Sequence, residues 1–110
     1  MTDKRVVFST AGSTEEARKI ARSLVERQLA GCVNIIPQIE SIYRWQGKVE
    51  SGQECLLVIK TSADEFPALR DAIREMHSYE LPECVALAIE DGSGEYLDWL
   101  GESLGGDTAP

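Results

Sequence analysis

The stretch from Cys32 to Thr61 limits most what this chain can fold into. Two long runs rich in β-branched and aromatic residues flank Gln46-Gly47. Glycine supplies the positive φ that a tight hairpin turn needs, so the pattern predicts one long β-hairpin. In its first run, Val33, Ile35, Ile39, Tyr43 and Trp45 are apolar, while Asn34, Gln38, Glu40 and Arg44 are polar. Ile36 and Ile42 break that alternation. In the second run, Cys55 to Ile59 is apolar on both faces. Such a hairpin has more apolar edge than one 110-residue subunit can cover. A second chain is the expected cover.

Length predicts one domain, with an ordered core over about residues 5–104 and a flexible tail from Gly105 to Pro110. Net charge is −8, and no basic stripe is present, which argues against nucleic acid. The apolar runs are too short to span a membrane. Met1-Thr2-Asp3-Lys4-Arg5 leads straight into a strand rather than a signal peptide, so a cytoplasmic location is expected. Cys32, Cys55 and Cys84 are widely spaced and include no C-x-x-C pair, which suits buried thiols in a reducing compartment.

In chain order, Val6 to Thr10 reads as a strand and Ala11-Gly12 as a turn. Ser13 with Glu16 has capping-box form. Ala17, Ile20, Ala21, Leu24 and Val25 then recur at helical spacing, and Gly31 is the expected left-handed cap. A second helix carries Phe66, Leu69, Ile73 and Met76 on one face. Asp64 is its expected cap, which leaves Pro67 in the first turn, where its missing N–H is harmless. Cys84 to Ile89 is another strand, and a short helix starts at Ser93-Gly94. The segment from Thr10 to Cys32-Val33 is echoed by that from Thr61 to Cys84-Val85. Two β-α-β halves joined by the hairpin give an α+β, ferredoxin-like split β-α-β sheet with both helices on one face.

Chemistry-bearing residues are few. His77 is the only histidine, and its place at a helix C-terminus favours a structural role through the helix dipole. Glu50, Glu54, Glu80 and Glu83 fit solvated carboxylates in an acidic chain. The three cysteines sit among apolar residues and fit buried small hydrophobes. Ala11-Gly12-Ser13-Thr14 lacks the lysine of a phosphate-binding loop and fits a capped turn. No catalytic residue is assigned.

Several blocks carry a resemblance: Ala30-Gly31-Cys32-Val33-Asn34-Ile35-Ile36-Pro37, Ser41-Ile42-Tyr43-Arg44-Trp45-Gln46-Gly47-Lys48-Val49-Glu50, Ile59-Lys60-Thr61, His77-Ser78-Tyr79-Glu80-Leu81-Pro82-Glu83 and Tyr96-Leu97-Asp98-Trp99. In this order and spacing, from about Val6 to Leu104, they resemble the CutA family of divalent-cation tolerance proteins. The resemblance implies a cytoplasmic, non-enzymatic homotrimer in which hairpin edges pair between subunits. It also implies a link to copper or another divalent cation. The family's copper ligands are a cysteine ending the first strand and two adjacent histidines after the second helix. Ser9 and Met76-His77 stand there, so only His77 carries over as a metal ligand. Lys60, His77, Tyr79 and Glu80 carry over as residues of a ligand cleft between subunits. The PII signalling proteins are similar in fold and trimeric form, and supply the rival expectation of an anionic small ligand held near Lys60. Acylphosphatase, an enzyme of similar fold, uses an arginine after its first strand. Ser9-Thr10-Ala11-Gly12 contains none.

Overall fold

The computed structural model describes residues 2–105. Seven elements follow one another: β1 (Lys4–Ala11), α1 (Thr14–Glu26), β2 (Cys32–Trp45), β3 (Lys48–Ser62), α2 (Phe66–Met76), β4 (Val85–Ala88) and α3 (Gly94–Glu102). The strands form one antiparallel sheet in the order β2-β3-β1-β4. This is the expected α+β, split β-α-β arrangement. The tail lies outside the described residues except for Gly105, whose N–H donates to the Gln28 carbonyl at 3.0 Å.

Both helices cover one face of the sheet. Val7, Ala11, Cys55, Leu57 and Ile59 from the strands meet Ala17, Ile20, Ala21 and Leu24 of α1 and Leu69, Ala72 and Ile73 of α2. Each of the larger side chains, fully withdrawn from water, stabilises the fold by about 1.5–3 kcal/mol. Val25 continues the helical spacing but stays 41% exposed, so the buried stripe of α1 is narrower than its sequence. The opposite face carries Val6 and Phe8, paired with Leu87 and Val85 of β4. Leu87 and Val85 are each 51% exposed.

The hairpin turns at Gln46-Gly47, with φ of 51° and 81°. Two successive positive φ values match the right-handed twist of the flanking strands. Ile36 pairs with Leu56 but Ile39 pairs with Glu54, so a bulge inserts one extra residue in β2. Gln38, at φ 61°, sits inside it. Cross-strand partners share a face. Val33 and Ile35 therefore point with Ile59 and Leu57 toward the helices, whereas Tyr43 and Trp45 pair with Glu50 and Lys48 on the other face. The odd-numbered apolar alternation read from the sequence, already broken at Ile36, changes face at the bulge. Beyond it the hairpin is an arm that no helix covers: Ile42 is 69% exposed and Val49 68%.

Three boundaries differ from expectation. Helix α1 ends at Glu26, and the left-handed residue after it is Gln28 (φ 58°), not Gly31. Gly31 instead faces Leu100 of α3. Helix α2 is capped by Glu65 rather than Asp64; Ser62 Oγ accepts from the Glu65 N–H at 3.3 Å, and Pro67 lies in the first turn as expected. The last strand is shorter than Cys84 to Ile89.

Candidate functional site

The turn leaving α2 brings together residues from four elements. His77 is the C-terminal cap of α2. Its side chain is wholly buried. Nε2 lies 2.6 Å from the Thr10 carbonyl at the end of β1, and Nδ1 lies 3.0 Å from the Tyr79 N of the turn. A carbonyl can only accept and a backbone N–H can only donate. Nε2 therefore carries the proton, Nδ1 is the acceptor, and the ring is neutral. Both nitrogens are used within the fold.

Glu16 reaches the same turn from α1. The first half of its expected capping box is present, since Ser13 Oγ accepts from the Glu16 N–H. The Glu16 carboxylate goes elsewhere. Oε2 accepts from the Ser78 N–H at 2.8 Å, and Oε1 from the Ser78 hydroxyl at 3.1 Å. Burial raises the Glu16 carboxyl, but the Ser78 hydrogen bonds and the nearby His77 outweigh it and hold the group below its ordinary range. Glu16 Oε2 also lies 3.7 Å from His77 Nδ1.

Tyr79 fastens the turn to the hairpin. Its hydroxyl donates to Glu54 Oε2 at 2.7 Å, and its ring lies 4.5 Å from that of His77. Burial, then the hydrogen bond to Glu54 and the charges of Glu54 and Glu16, hold the phenol well above its ordinary range. A Cβ at position 12 would sit 3.2 Å from the Tyr79 hydroxyl, so Gly12 leaves the room that Tyr79 occupies. Glu54, expected to be a solvated carboxylate, is thus the half-buried acceptor that anchors the turn.

Between this turn and the arm lies an open cleft of about 710 Å³. Glu40, Glu54, Glu80 and Glu83 supply its charge, and Tyr43, Trp45 and Tyr79 its aromatic walls. No lining residue is basic. Of the four expected cleft residues, Tyr79 and Glu80 line it, and His77 lies behind Tyr79. Lys60 does not join them within one chain. It pairs with Cys32 and Val6 six residues along β3 from Glu54, about 20 Å away at strand rise, and its ammonium donates to Asn34 Oδ1. An anion entering the cleft of a single chain meets no positive partner there.

The structure also tests the metal expectation. Ser9 is buried on the helix-covered face, and Met76 packs against the core. Among the described residues, no group of three or more His, Cys, Asp or Glu side chains is placed to hold a metal ion. With both His77 nitrogens engaged, copper does not fit at this position as folded.

The CutA1 family profile, described as a divalent ion tolerance protein, matches residues 5–103. The chain belongs to the CutA1 family. It is 52% identical over 102 residues to the divalent-cation tolerance protein CutA of Thermus thermophilus, covering 93% of this chain and 99% of that one. A solved structure of the divalent cation tolerance protein from that organism superposes with a TM-score of 0.91, over 93% of this chain and 99% of that one. Human protein CutA is 48% identical over 93 residues, 84% of this chain but 52% of the human one. A CutA structure from Archaeoglobus fulgidus, described as periplasmic, has a TM-score of 0.88 at 43% identity, covering 91% of this chain and 97% of that one. Within this CutA1 domain, the residues that sequence reasoning left out of the site are Glu16, Glu54 and the Thr10 carbonyl. The Ser13–Glu16 spacing placed Glu16 at a helix start, but nothing in it told where the carboxylate would turn.

Proposed function

We propose that this chain serves divalent-cation tolerance as a non-enzymatic, cytoplasmic homotrimer. The exposed apolar surface carries the reading. Val85 and Leu87 on the edge strand β4, and Ile42 and Val49 on the arm, leave apolar area in water that a folded monomer gains nothing by exposing. Edge strands of this kind invite pairing with another copy, and three-fold closure leaves none open. Relatives named for divalent-cation tolerance support the general role. Copper association in this reading is weak and diffuse, spread over a surface of net charge −8 rather than seated at His77. Sedimentation at low micromolar concentration should give one species of three times the 12.1 kDa chain mass. A folded monomer there overturns the assembly. Copper calorimetry should give the same weak isotherm for wild type and His77→Asn, fading as salt is raised. A heat lost only in His77→Asn would return the metal to that residue.

A further inference from the structure

We propose that Arg70 and Arg74 of α2, with the Leu81–Cys84 segment beside them, form a second binding site, which takes a small monocarboxylate with a short apolar chain. The proposal rests on the geometry of one chain and does not depend on the trimer. A second pocket, of about 220 Å³, shares Glu80 and Leu81 with the acidic cleft. Its other walls include Arg70, Ile73 and Arg74 of α2 and Cys84 just ahead of β4. The two arginines are four residues apart, so their side chains are neighbours on one helix face. Like charges at that spacing repel. The helix dipole favours Arg74, in the last turn, but does nothing for Arg70 one turn earlier. Among the described residues, Arg74 forms no hydrogen bond or ion pair. Arg70 uses only Nε, which donates to the exposed Asp71 Oδ1 at 3.2 Å.

The lining of this pocket carries two positive charges and one negative, whereas the cleft has no basic residue at all. One bound monoanion balances it. A guanidinium fork matches a carboxylate or a phosphate equally, so the rest of the lining chooses between them. Ile73, Leu81 and the half-buried Cys84 offer an apolar wall to a carbon chain, which phosphate lacks. Glu80 repels the second charge of a phosphate dianion. The field of Arg70 already reaches this space: burial raises the Cys84 thiol, and the charge of Arg70 works against it. Sites for drug-sized ligands start at about 300 Å³, so this smaller one suits a chain of only a few carbons.

The test is an NMR titration of the intact, ¹⁵N-labelled protein with sodium butyrate at constant ionic strength, beside the same titration with neutral butyramide. Butyrate should move the backbone amides of Arg74, Leu81 and Cys84 along saturating curves with one shared Kd. Butyramide should move none of them. Acetate, two methylenes shorter, should bind about tenfold more weakly. Inorganic phosphate should also bind more weakly than butyrate. Arg74→Gln should weaken butyrate by about tenfold or more, because a charge-assisted hydrogen bond is lost. The proposal is overturned if the shifts grow without saturating, if butyramide reproduces them, or if phosphate binds more tightly than butyrate. It is equally overturned if Arg70→Gln and Arg74→Gln both leave the Kd unchanged. The wild-type comparison of butyrate with butyramide decides the matter by itself should a variant fail to fold.

Discussion

Gly31 and Leu100 meet so closely that a Cβ on residue 31 would lie 2.5 Å from Leu100 Cδ1. Leu100 is fully buried and cannot swing aside, and the Ser103 Cβ and the Leu100 carbonyl stand 3.4 and 3.5 Å from the same point. Glycine is needed here for close approach of α3, not for a left-handed cap. Gly31→Ala should therefore destabilise the protein by about 1–3 kcal/mol, as overpacking does. Gly52→Ala, in the arm with nothing within 4 Å of its added Cβ, is the control and should stay within about 0.5 kcal/mol in chemical denaturation. Equal losses at the two sites would remove the packing argument.

Tyr79→Phe keeps the ring against His77 and removes only the hydroxyl that Glu54 accepts from. A hydrogen bond to a charged, half-buried acceptor contributes about 1.5–3 kcal/mol. Partial hydration of Glu54 in the variant should bring the observed loss to the lower end. Urea melts at one fixed protein concentration measure it. An unchanged midpoint would show that water serves Glu54 as well as Tyr79 does.

The fold was legible wherever one residue pattern had one outcome. The Gln46-Gly47 turn, the Ser13 cap and the two β-α-β halves follow from local chemistry that tertiary contacts do not contest. Gly31 shows the limit. A glycine after a helix signals either a positive φ or a close neighbour, and only the position of Leu100, far along the chain, decides. The site was half legible for the same reason. Spacing marked His77, Tyr79 and Glu80 as one turn. It said nothing about Glu16 and Glu54 arriving from other elements, 62 and 25 residues away in sequence from their partners.

The Glu16 carboxyl gives a pH dependence with a definite sign. Burial raises this carboxyl, but the Ser78 hydrogen bonds and the nearby His77 hold its folded-state value below the ordinary carboxylate range. A depressed carboxylate contributes stability that is fully present above its unfolded value and is lost as pH falls through the folded one. The stability gap between wild type and Glu16→Gln should be widest near neutrality and close on acidification below about pH 4.5. Denaturation midpoints of both proteins across that range check it. A gap that widens in acid would mean that Glu16 is not the group held down.

The thiols should be slow toward a neutral alkylating reagent. Cys55 is buried in the core, and burial pushes the Cys84 thiol up, with Arg70 only partly opposing. The thiolate is the nucleophile, so raising the thiol lowers the rate. In the native protein both should label at least about tenfold more slowly than in the unfolded chain. Peptide mapping of labelled sites against time separates them. Rapid native labelling of Cys84 would show that its half-buried sulfur is open to solvent.

The last prediction concerns the bulge in β2. One extra residue between Ile36 and Ile39 lets even-numbered Ile36 and odd-numbered Ile39 lie on the same face, opposite Leu56 and Glu54. A strand has a side-chain period of two, so a one-residue slip moves a whole set of side chains across the sheet. Deleting Gln38, which is exposed and holds a strained positive φ, removes that residue without touching the core. Val33 and Ile35 keep their partners Ile59 and Leu57, so the helix-covered core should form as before. With the extra residue gone, Pro37 alone stands opposite Cys55, and Ile39, Tyr43 and Trp45 should keep their partners Glu54, Glu50 and Lys48 and stay on the open face. The expected product is a folded chain with an unchanged far-ultraviolet spectrum that still assembles, sedimenting at three times the 12.1 kDa chain mass. A deletion variant that sedimented at the chain mass would show that the local bend a bulge puts in the arm, and not only the facing of its side chains, holds the subunits together.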